Sequence, residues 1–248
     1  MRIAWADEVL TLTDARLDGI DIRVRYLEAF CRDGSANRAW EETVISHQTA
    51  LISSTGSRIH LRSTLADGVV AEHRIEAGED EICFAVDLHN ATTVASRAHW
   101  AQPCIGVAEF VGVPFERDSE LYLPKCVVFI DGKETRLPIE PWNRIGRYTP
   151  GQVWRPRNVD RNDVNPRPLN PHTPSNGLIG CYSADERLIL ATAWEPYQEL
   201  FAGVLCCIHS DFRIGGLAPG ETKHARGKIY LVDADMPALV ERYQHDFG

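Results

Sequence analysis

Asp-Gly pairs separate runs of apolar and β-branched residues, and this pattern restricts the fold more than any other feature of the sequence. Asp18-Gly19 and Asp67-Gly68 each stand between two such runs, and Asp131-Gly132 follows the run 121–130. Asp-Gly is a preferred sequence for the tight turn of a β-hairpin, because both positions tolerate a positive φ. The sequence therefore predicts antiparallel strands joined by turns rather than alternating strands and helices.

The predicted strands are distributed over most of the chain. They cover residues 11–17, 20–30, 59–65, 69–75, 81–88, 96–110, 121–130, 178–183, 188–193, 202–214 and 223–231. The C-terminus changes to a helical pattern, because Asp235 can cap a helix and Pro237 suits its first turn. Together these patterns predict an all-β, antiparallel β-sandwich with a short C-terminal helix, in a single domain over residues 1–248.

Composition and charge exclude several classes of function. A net charge of -9 would repel a nucleic-acid backbone. No run of about 18 apolar residues is present to span a membrane, and Asp7 and Glu8 interrupt the place of a secretion signal. The seven cysteines form no CxxC pair, which is typical of buried, reduced thiols. We expect a cytoplasmic protein that binds neither nucleic acid nor membranes.

Residues 141–177 contain half of the chain's 14 prolines and no periodicity. Proline fixes φ and lacks a backbone donor, so this stretch is predicted to be a long loop that covers or lines a site. It contains Trp154 and six arginines but no lysine; the arginines are Arg144, Arg147, Arg155, Arg157, Arg161 and Arg167. Arginine binds carboxylates and stacks on aromatic rings, so Trp154, Arg144, Arg147, Arg155 and Arg167 are candidates for binding an acidic small molecule. The alternative is that the arginines pair with the chain's own carboxylates.

The segment 203–214 carries the most informative polar residues. If it is a strand, alternation places Cys207, His209, Asp211 and Arg213 on one face and apolar residues on the other. His209 is then a candidate acid or base, Asp211 its partner, and Arg213 an anion-binding residue. The alternative is a solvated sheet face with local ion pairs.

Two further segments supply candidates. His99, Trp100 and Gln102 lie in a strand-like run and are predicted to bind substrate, although a histidine in such a run is also typical of a core; Cys104 in the same run is not favoured as a nucleophile. Glu195 precedes Pro196, which should end its strand and place the residue at a strand end. Glu195 is therefore the predicted general base, with Tyr197 and Gln198 beside it. Its alternative role is a surface carboxylate paired with a loop arginine.

The segment Ile214-Gly-Gly-Leu-Ala-Pro-Gly-Glu-Thr-Lys-His-Ala-Arg-Gly-Lys-Ile-Tyr-Leu231 resembles the closing hairpin of galactose mutarotase-like proteins. The resemblance implies their β-supersandwich fold. It also implies sugar chemistry, because the family includes aldose epimerases, sugar-binding proteins and lyase domains in which a histidine and a glutamate act in a concave sheet face. No individual residue is assigned through this resemblance.

The leading hypothesis is a carbohydrate-active enzyme, an epimerase, isomerase or lyase, that acts on a sugar or sugar acid through His209 and Glu195 without a cofactor. One alternative is a non-catalytic carbohydrate-binding protein that stacks sugars on its aromatic residues, namely Trp100, Trp142, Trp154 and Tyr197. Another is a metal-dependent hydrolase or oxygenase whose divalent metal would be held by His99, His209 and either Glu195 or Asp211. The oligomeric state stays open.

Overall fold

The computed structural model describes residues 1–117, 119–138, 152–165 and 169–248. The strands are β1 (Arg2–Ala6), β2 (Val9–Thr13), β3 (Ile22–Arg32), β4 (Val44–Ile45), β5 (His47–Ser54), β6 (Arg58–Leu65), β7 (Val69–Ala77), β8 (Glu81–Asn90), β9 (Ala98–Gly106), β10 (Cys126–Ile130), β11 (Lys133–Arg136), β12 (Gln152–Trp154), β13 (Ile179–Tyr182), β14 (Leu188–Glu195), β15 (Tyr197–Gly203), β16 (Cys207–Arg213) and β17 (Thr222–Asp233). The helices are α1 (Trp40–Thr43) and α2 (Met236–Phe247).

Within these residues the strands form two antiparallel sheets. The first sheet has the order β1-β2-β3-β9-β16-β15-β12, with β4 paired to β3. The second sheet has the order β11-β10-β13-β14-β17-β8-β7-β6-β5. β16 lies between β9 and β15, so the segment that carries the polar candidates is an interior strand of the first sheet. The all-β sandwich that the turn pattern predicts is confirmed.

The main core lies between the two sheets and is built from the inward-facing residue of each alternating pair. On β16 these residues are Ile208 and Phe212, both completely buried. Phe212 stacks on Trp194 of the second sheet, with ring centroids 4.5 Å apart. Gly227 lies directly beneath the Trp194 ring and leaves the room that the indole needs. Aromatic burial of this kind is a main source of stability in a β-sandwich.

A chain of polar side chains crosses the same core. His73 on β7 is completely buried between the Tyr26 hydroxyl, 3.1 Å from its Nδ1, and the Ser63 hydroxyl, 3.0 Å from its Nε2. Ser63 in turn lies 2.8 Å from the Thr49 hydroxyl. The chain therefore links β5, β6 and β7 of the second sheet to β3 of the first, and each of these contacts supplies a hydrogen-bonding partner to a polar group that folding removes from water.

The outer faces of the two sheets are covered differently. α2 packs on the second sheet through Met236 and Leu239, and the Asp235 side chain caps it by accepting a hydrogen bond from the Ala238 amide. The predicted C-terminal helix is confirmed. On the first sheet, segments 34–45 and 153–165 pack against the outer face through two small apolar clusters that include Trp40 and Val159. The first sheet is thus covered by loops, where polar groups can be enclosed.

β5 is an edge strand of the second sheet and is largely exposed. Its sequence, from His47 to Ser54, has no lysine, arginine, aspartate or glutamate, and Leu51 and Ile52 are each more than two-fifths exposed. The sequence does not predict this strand, because its solvent-facing apolar residues do not follow the alternation of a half-buried strand.

The Asp-Gly predictions agree with the structure at two of three turns. Asp67-Gly68 joins β6 to β7, and Asp131-Gly132 joins β10 to β11 with positive φ at both residues. Asp18-Gly19 belongs to a longer connection, because Ala15–Leu17 forms a 3-10 turn before β3 begins.

Several predicted strands are shorter in the structure, and two predicted segments have a different arrangement. Residues 202–214 are not one strand, because the chain turns back at Cys206, whose φ is 49°, and β15 and β16 form a hairpin. Residues 141–177 are not a loop throughout, because Gln152–Trp154 pairs with β15 at the edge of the first sheet. A strand at an edge tolerates neighbouring prolines that an interior strand excludes. Among the described residues no helix has the length and apolar character needed to cross a membrane.

Replacing Gly227 with alanine is expected to destabilise the protein. The added Cβ would lie 2.3 Å from the Trp194 ring, so the indole and the strands around it must shift. Overpacking of this kind costs about 1–3 kcal/mol. Gly78→Ala is the matched control, since its nearest new contact is at 3.4 Å. Urea unfolding of both variants checks this, and equal midpoints for the two would contradict the packing described.

His73 is expected to make stability depend on pH. Burial lowers its pKa from 6.5 to about 3. Below pH 6.5 the unfolded chain therefore binds a proton that the folded chain does not, and stability falls with falling pH. The slope approaches about 1.4 kcal/mol per pH unit. His73→Gln removes this group, so its unfolding free energy is expected to change less between about pH 6.5 and pH 5, where carboxylates are still largely ionised. Equal changes in both proteins would exclude His73 as the cause.

Candidate functional site

The outer face of β16 carries three polar side chains in a row. Because Ile208 and Phe212 face the core, alternation turns Cys207, His209 and Asp211 to the opposite side. The Cys207 Sγ lies 3.3 Å from Nε2 of His209, and Nδ1 of His209 lies 3.3 Å from Oδ1 of Asp211. All three residues are buried. The face predicted from strand parity therefore exists and is enclosed.

The electrostatics of this row favour a charged pair. Burial by itself lowers the pKa of His209, but the adjacent Cys207 sulfur and the Asp211 carboxylate overcome it and raise the pKa to about 10. Burial raises the pKa of Asp211 to about 6, and the bond to His209 opposes that rise. The contact with Asp211 thus favours the protonated form of His209, and Oδ2 of Asp211 lacks a hydrogen-bond partner among the described residues.

Glu199 is a second buried carboxylate that the sequence analysis missed. It pairs with Asp211 across β15 and β16 and is completely buried, and its Oε2 accepts a hydrogen bond of 2.8 Å from the backbone amide of Asn165. The signal that could have found it is an acidic residue directly before the apolar run Leu200-Phe201-Ala202. Glu195-Pro196 predicts a strand end there, whereas β15 begins at Tyr197.

Asp163 ties the covering loop to the sheet. Its Oδ1 accepts a hydrogen bond of 3.0 Å from the Gly34 amide. Its Oδ2 lies 3.2 Å from Nδ1 of His99 and 3.5 Å from Nη1 of Arg213. Gln198 donates to the Asp163 carbonyl and accepts a 2.6 Å hydrogen bond from Arg213. Three predicted substrate-binding residues, His99, Gln198 and Arg213, are thus occupied in holding residues 155–165 over the first sheet.

His209 lines a small cavity. Its volume is about 170 Å³. Glu28 of β3, Gln102 of β9 and His209 of β16 line it, together with Trp40, Cys104, Arg117, Asn165, Phe201, Val204, Leu205 and Cys207. Gln102 is the other sequence-predicted residue that lies in this lining. Glu28 was not predicted, because its strand position alone does not reveal that β3 lies two strands from β16.

A larger groove on the same sheet continues from this cavity. It measures about 490 Å³ and shares Cys104, Leu205 and Cys207 with it. Arg23 and Arg25 of β3 lie along the groove, and Phe115 at its side is 62% exposed. Basic groups and an exposed aromatic ring therefore lie in the groove that adjoins the His209 cavity. Arg23 and Arg25 are not among the arginines that the sequence predicts to bind substrate.

Glu195 does not lie where the sequence analysis placed it. It ends β14 of the second sheet, is exposed, and forms an ion pair of 2.5 Å with Arg226. It is absent from the linings of the cavity and of the groove. The predicted arrangement of His209 and Glu195 across one ring is therefore wrong, because residues 195–197 connect the two sheets and Glu195 belongs to the far one.

The aromatic and loop candidates are mostly structural. Trp100 and Trp154 are completely buried, so neither offers a face to a sugar, and Tyr197 packs at the edge of the main core. Arg155 donates to the carbonyls of Pro156 and Val159 and shapes its own loop. The remaining candidates, Arg144, Arg147, Arg167 and Trp142, lie outside the described residues.

Among the described residues, His99 and His209 do not come together in one group of ligating atoms. His99 bonds to Asp163 in the contact between loop and sheet, whereas His209 bonds to Cys207 and Asp211. Another group of ligating atoms does come together. One ligand atom each of Cys104, Cys207 and His209 lies within 4.8 Å of the others.

Solved structures share this architecture. An alpha-mannosidase from Enterococcus faecalis V583 aligns with 98% of this chain and 29% of its own, at 7% identity and a TM-score of 0.51. A galactose mutarotase-like protein from Lactobacillus casei ATCC 334 aligns with 92% of this chain and 99% of its own, at 7% identity and a TM-score of 0.49. A candidate aldose 1-epimerase from Escherichia coli K12 aligns with 92% of this chain and 90% of its own, at 12% identity and a TM-score of 0.45.

No family model and no curated protein matches the sequence. At identities this low the likeness concerns the fold alone. The two antiparallel sheets confirm the β-sandwich fold that the resemblance to galactose mutarotase-like proteins implies.

Asp163→Ala is expected to release the loop that covers the first sheet. The change removes the acceptor for the Gly34 amide and leaves His99 and Arg213 without their shared carboxylate. Trypsin should therefore cut faster after Arg157 and Arg161, which are both exposed. Asp160→Ala is the control, because Asp160 lies in the same loop and, among the described residues, its side chain accepts a hydrogen bond from the nearby Asn162 amide rather than from the sheet. Mass spectrometry of timed digests gives the rates; equal rates for the two variants would show that Asp163 does not hold the loop.

Proposed function

We propose that this protein is an enzyme that transfers protons on a small sugar or sugar acid bound in the His209 cavity. The observation that carries the proposal is that His209, oriented by Asp211, and Glu28 line the same small cavity. An imidazole and a carboxylate facing one space are the two groups that epimerisation, isomerisation or elimination of a sugar requires.

The sheet fixes the positions of the two groups. Glu28 lies on β3 and His209 on β16, the two strands that flank β9. Gln102 lies between them on β9, where its amide can bind a hydroxyl group. Glu28 is the general base in this proposal and His209 the general acid. Asp211 bonds to Nδ1 of His209, so Nε2, which lies 3.3 Å from the Cys207 sulfur, is the atom that exchanges a proton with the substrate.

The size of the cavity and the charges beside it limit which substrates can bind. A cavity of about 170 Å³ is below the range of drug-sized ligands, so it accommodates a group no larger than about one sugar ring. Arg25 lies 3.2 Å from Glu28, and Arg23 is further along the adjoining groove. A substrate whose carboxylate faces these arginines would be held with its ring toward His209. The choice of a sugar is supported by the C-terminal hairpin that resembles sugar-processing proteins.

The test is the rate at which the purified protein interconverts anomers of neutral aldoses and of uronic acids, followed by NMR, with elimination followed by ultraviolet absorbance. His209→Asn and Glu28→Gln are each expected to slow turnover by about 100-fold or more. Glu195→Gln is expected to keep the wild-type rate, because Glu195 is exposed on the other sheet. Circular dichroism confirms that each variant folds. Wild-type rates in both His209→Asn and Glu28→Gln, or no turnover of either sugar class, would refute the proposal.

A further inference from the structure

Two cysteines and a histidine meet on the floor of the cavity. Cys104 of β9 lies beside Cys207 and His209 of β16, with their ligand atoms all within 4.8 Å of one another. The exposed fractions are 4%, 3% and 1%. The proposed acid-base chemistry uses only His209 of these three, so the two thiols need another explanation.

The thiols are not placed to form a disulfide. The register pairs Cys207 with Gly106, two residues from Cys104, so the two cysteines are diagonal rather than opposite neighbours. Diagonal Cα atoms in a sheet are about 7–8 Å apart, and a disulfide requires a separation below about 7 Å. Both cysteines are free in this structure. The sulfurs therefore approach each other and His209 as free thiols.

The same separations suit a transition metal. Zinc takes thiolate sulfur at about 2.3 Å and imidazole nitrogen at about 2.0–2.1 Å in a tetrahedron, so its ligand atoms lie about 3.5–3.8 Å apart. Nε2 of His209 is 3.3 Å from the Cys207 sulfur, which needs only a small adjustment. Sulfur and nitrogen ligands select zinc over magnesium or calcium.

The surroundings of His209 strengthen this assignment. Asp211 accepts from Nδ1 of His209, which fixes Nε2 as the ligating atom in the carboxylate-histidine arrangement that is common around zinc. Cys104, Cys207 and His209 all line the cavity, so a fourth ligand could approach from that side.

We propose that Cys104, Cys207 and His209 form a three-ligand zinc site whose fourth position faces the cavity. This zinc site goes beyond the proposed function, and both proposals use the same atom, Nε2 of His209. Zinc on Nε2 removes the proton donor assigned to His209, so the zinc-loaded protein is expected to be inactive in the acid-base reaction. Metal ligation requires both cysteines as thiolates, so zinc binding also releases protons.

The experiment measures metal binding without any substrate. Protein stripped with a chelator is titrated with Zn²⁺, passed over a desalting column and analysed for metal, and Co²⁺ is used as a spectroscopic substitute. One zinc per chain and a sulfur-to-cobalt charge-transfer band are expected. Cys104→Ser and Cys207→Ser should each weaken binding by at least about 10-fold, and Asp211→Asn by about 10–100-fold. Cys83→Ser is the control, because Cys83 bonds to Glu81 away from the cavity.

A measurement on the wild-type chain removes any dependence on how the variants fold. Alkylation followed by peptide mapping should show that Zn²⁺ protects Cys104 and Cys207 and leaves Cys83 equally reactive. Substoichiometric metal, a cobalt spectrum without the thiolate band, or no protection would overturn the site. Turnover is assayed separately on metal-free protein. Zinc binding without any turnover would reject the sugar chemistry and leave the zinc site standing. Turnover that zinc does not inhibit would show that the two proposals do not share Nε2 of His209.

Discussion

Burial of Phe212 against Trp194 determines which way all the remaining side chains of β16 point. The stack holds one face of the strand in the core, and the two-residue period then turns Cys207, His209 and Asp211 outward. A shift of one residue in register would place these polar groups between the sheets and Phe212 under the loop. The hydrophobic packing is therefore what positions the candidate site, although it contributes no group to it.

The sequence alone was sufficient for the features that depend on local pattern. Strand parity correctly grouped His209 and Asp211, and capping residues located α2, because both rules act within a few residues. Glu28 and Glu199 could not be predicted in this way. Glu28 lies near His209 because β3 pairs with β9 and β9 with β16, and Glu199 lies on β15, which the sequence does not separate from β16. The prediction for Glu195 was wrong because the chain passes from the second sheet to the first at Pro196. Residues on either side of Pro196 are close in sequence but belong to different sheets.

The polar residues around Asp163 show how a buried charge constrains its neighbours. A carboxylate removed from water needs several donors, and His99, Arg213 and the Gly34 amide supply them. These side chains looked like ligand-binding groups because the same chemistry recognises an internal carboxylate and a substrate carboxylate. The arginines that do face the groove, Arg23 and Arg25, alternate with the core residues Ile22, Val24 and Tyr26 and attract no notice in the sequence.

The uncharged β5 edge has a consequence for how the protein behaves in solution. A strand with one open side and no charged side chain can accept the same strand of a second molecule, since nothing on the edge itself repels it. The overall charge of -9 opposes such pairing, and that repulsion fades near the isoelectric point of about 5.5 or in high salt. Colloidal stability therefore depends on the buffer rather than on the edge.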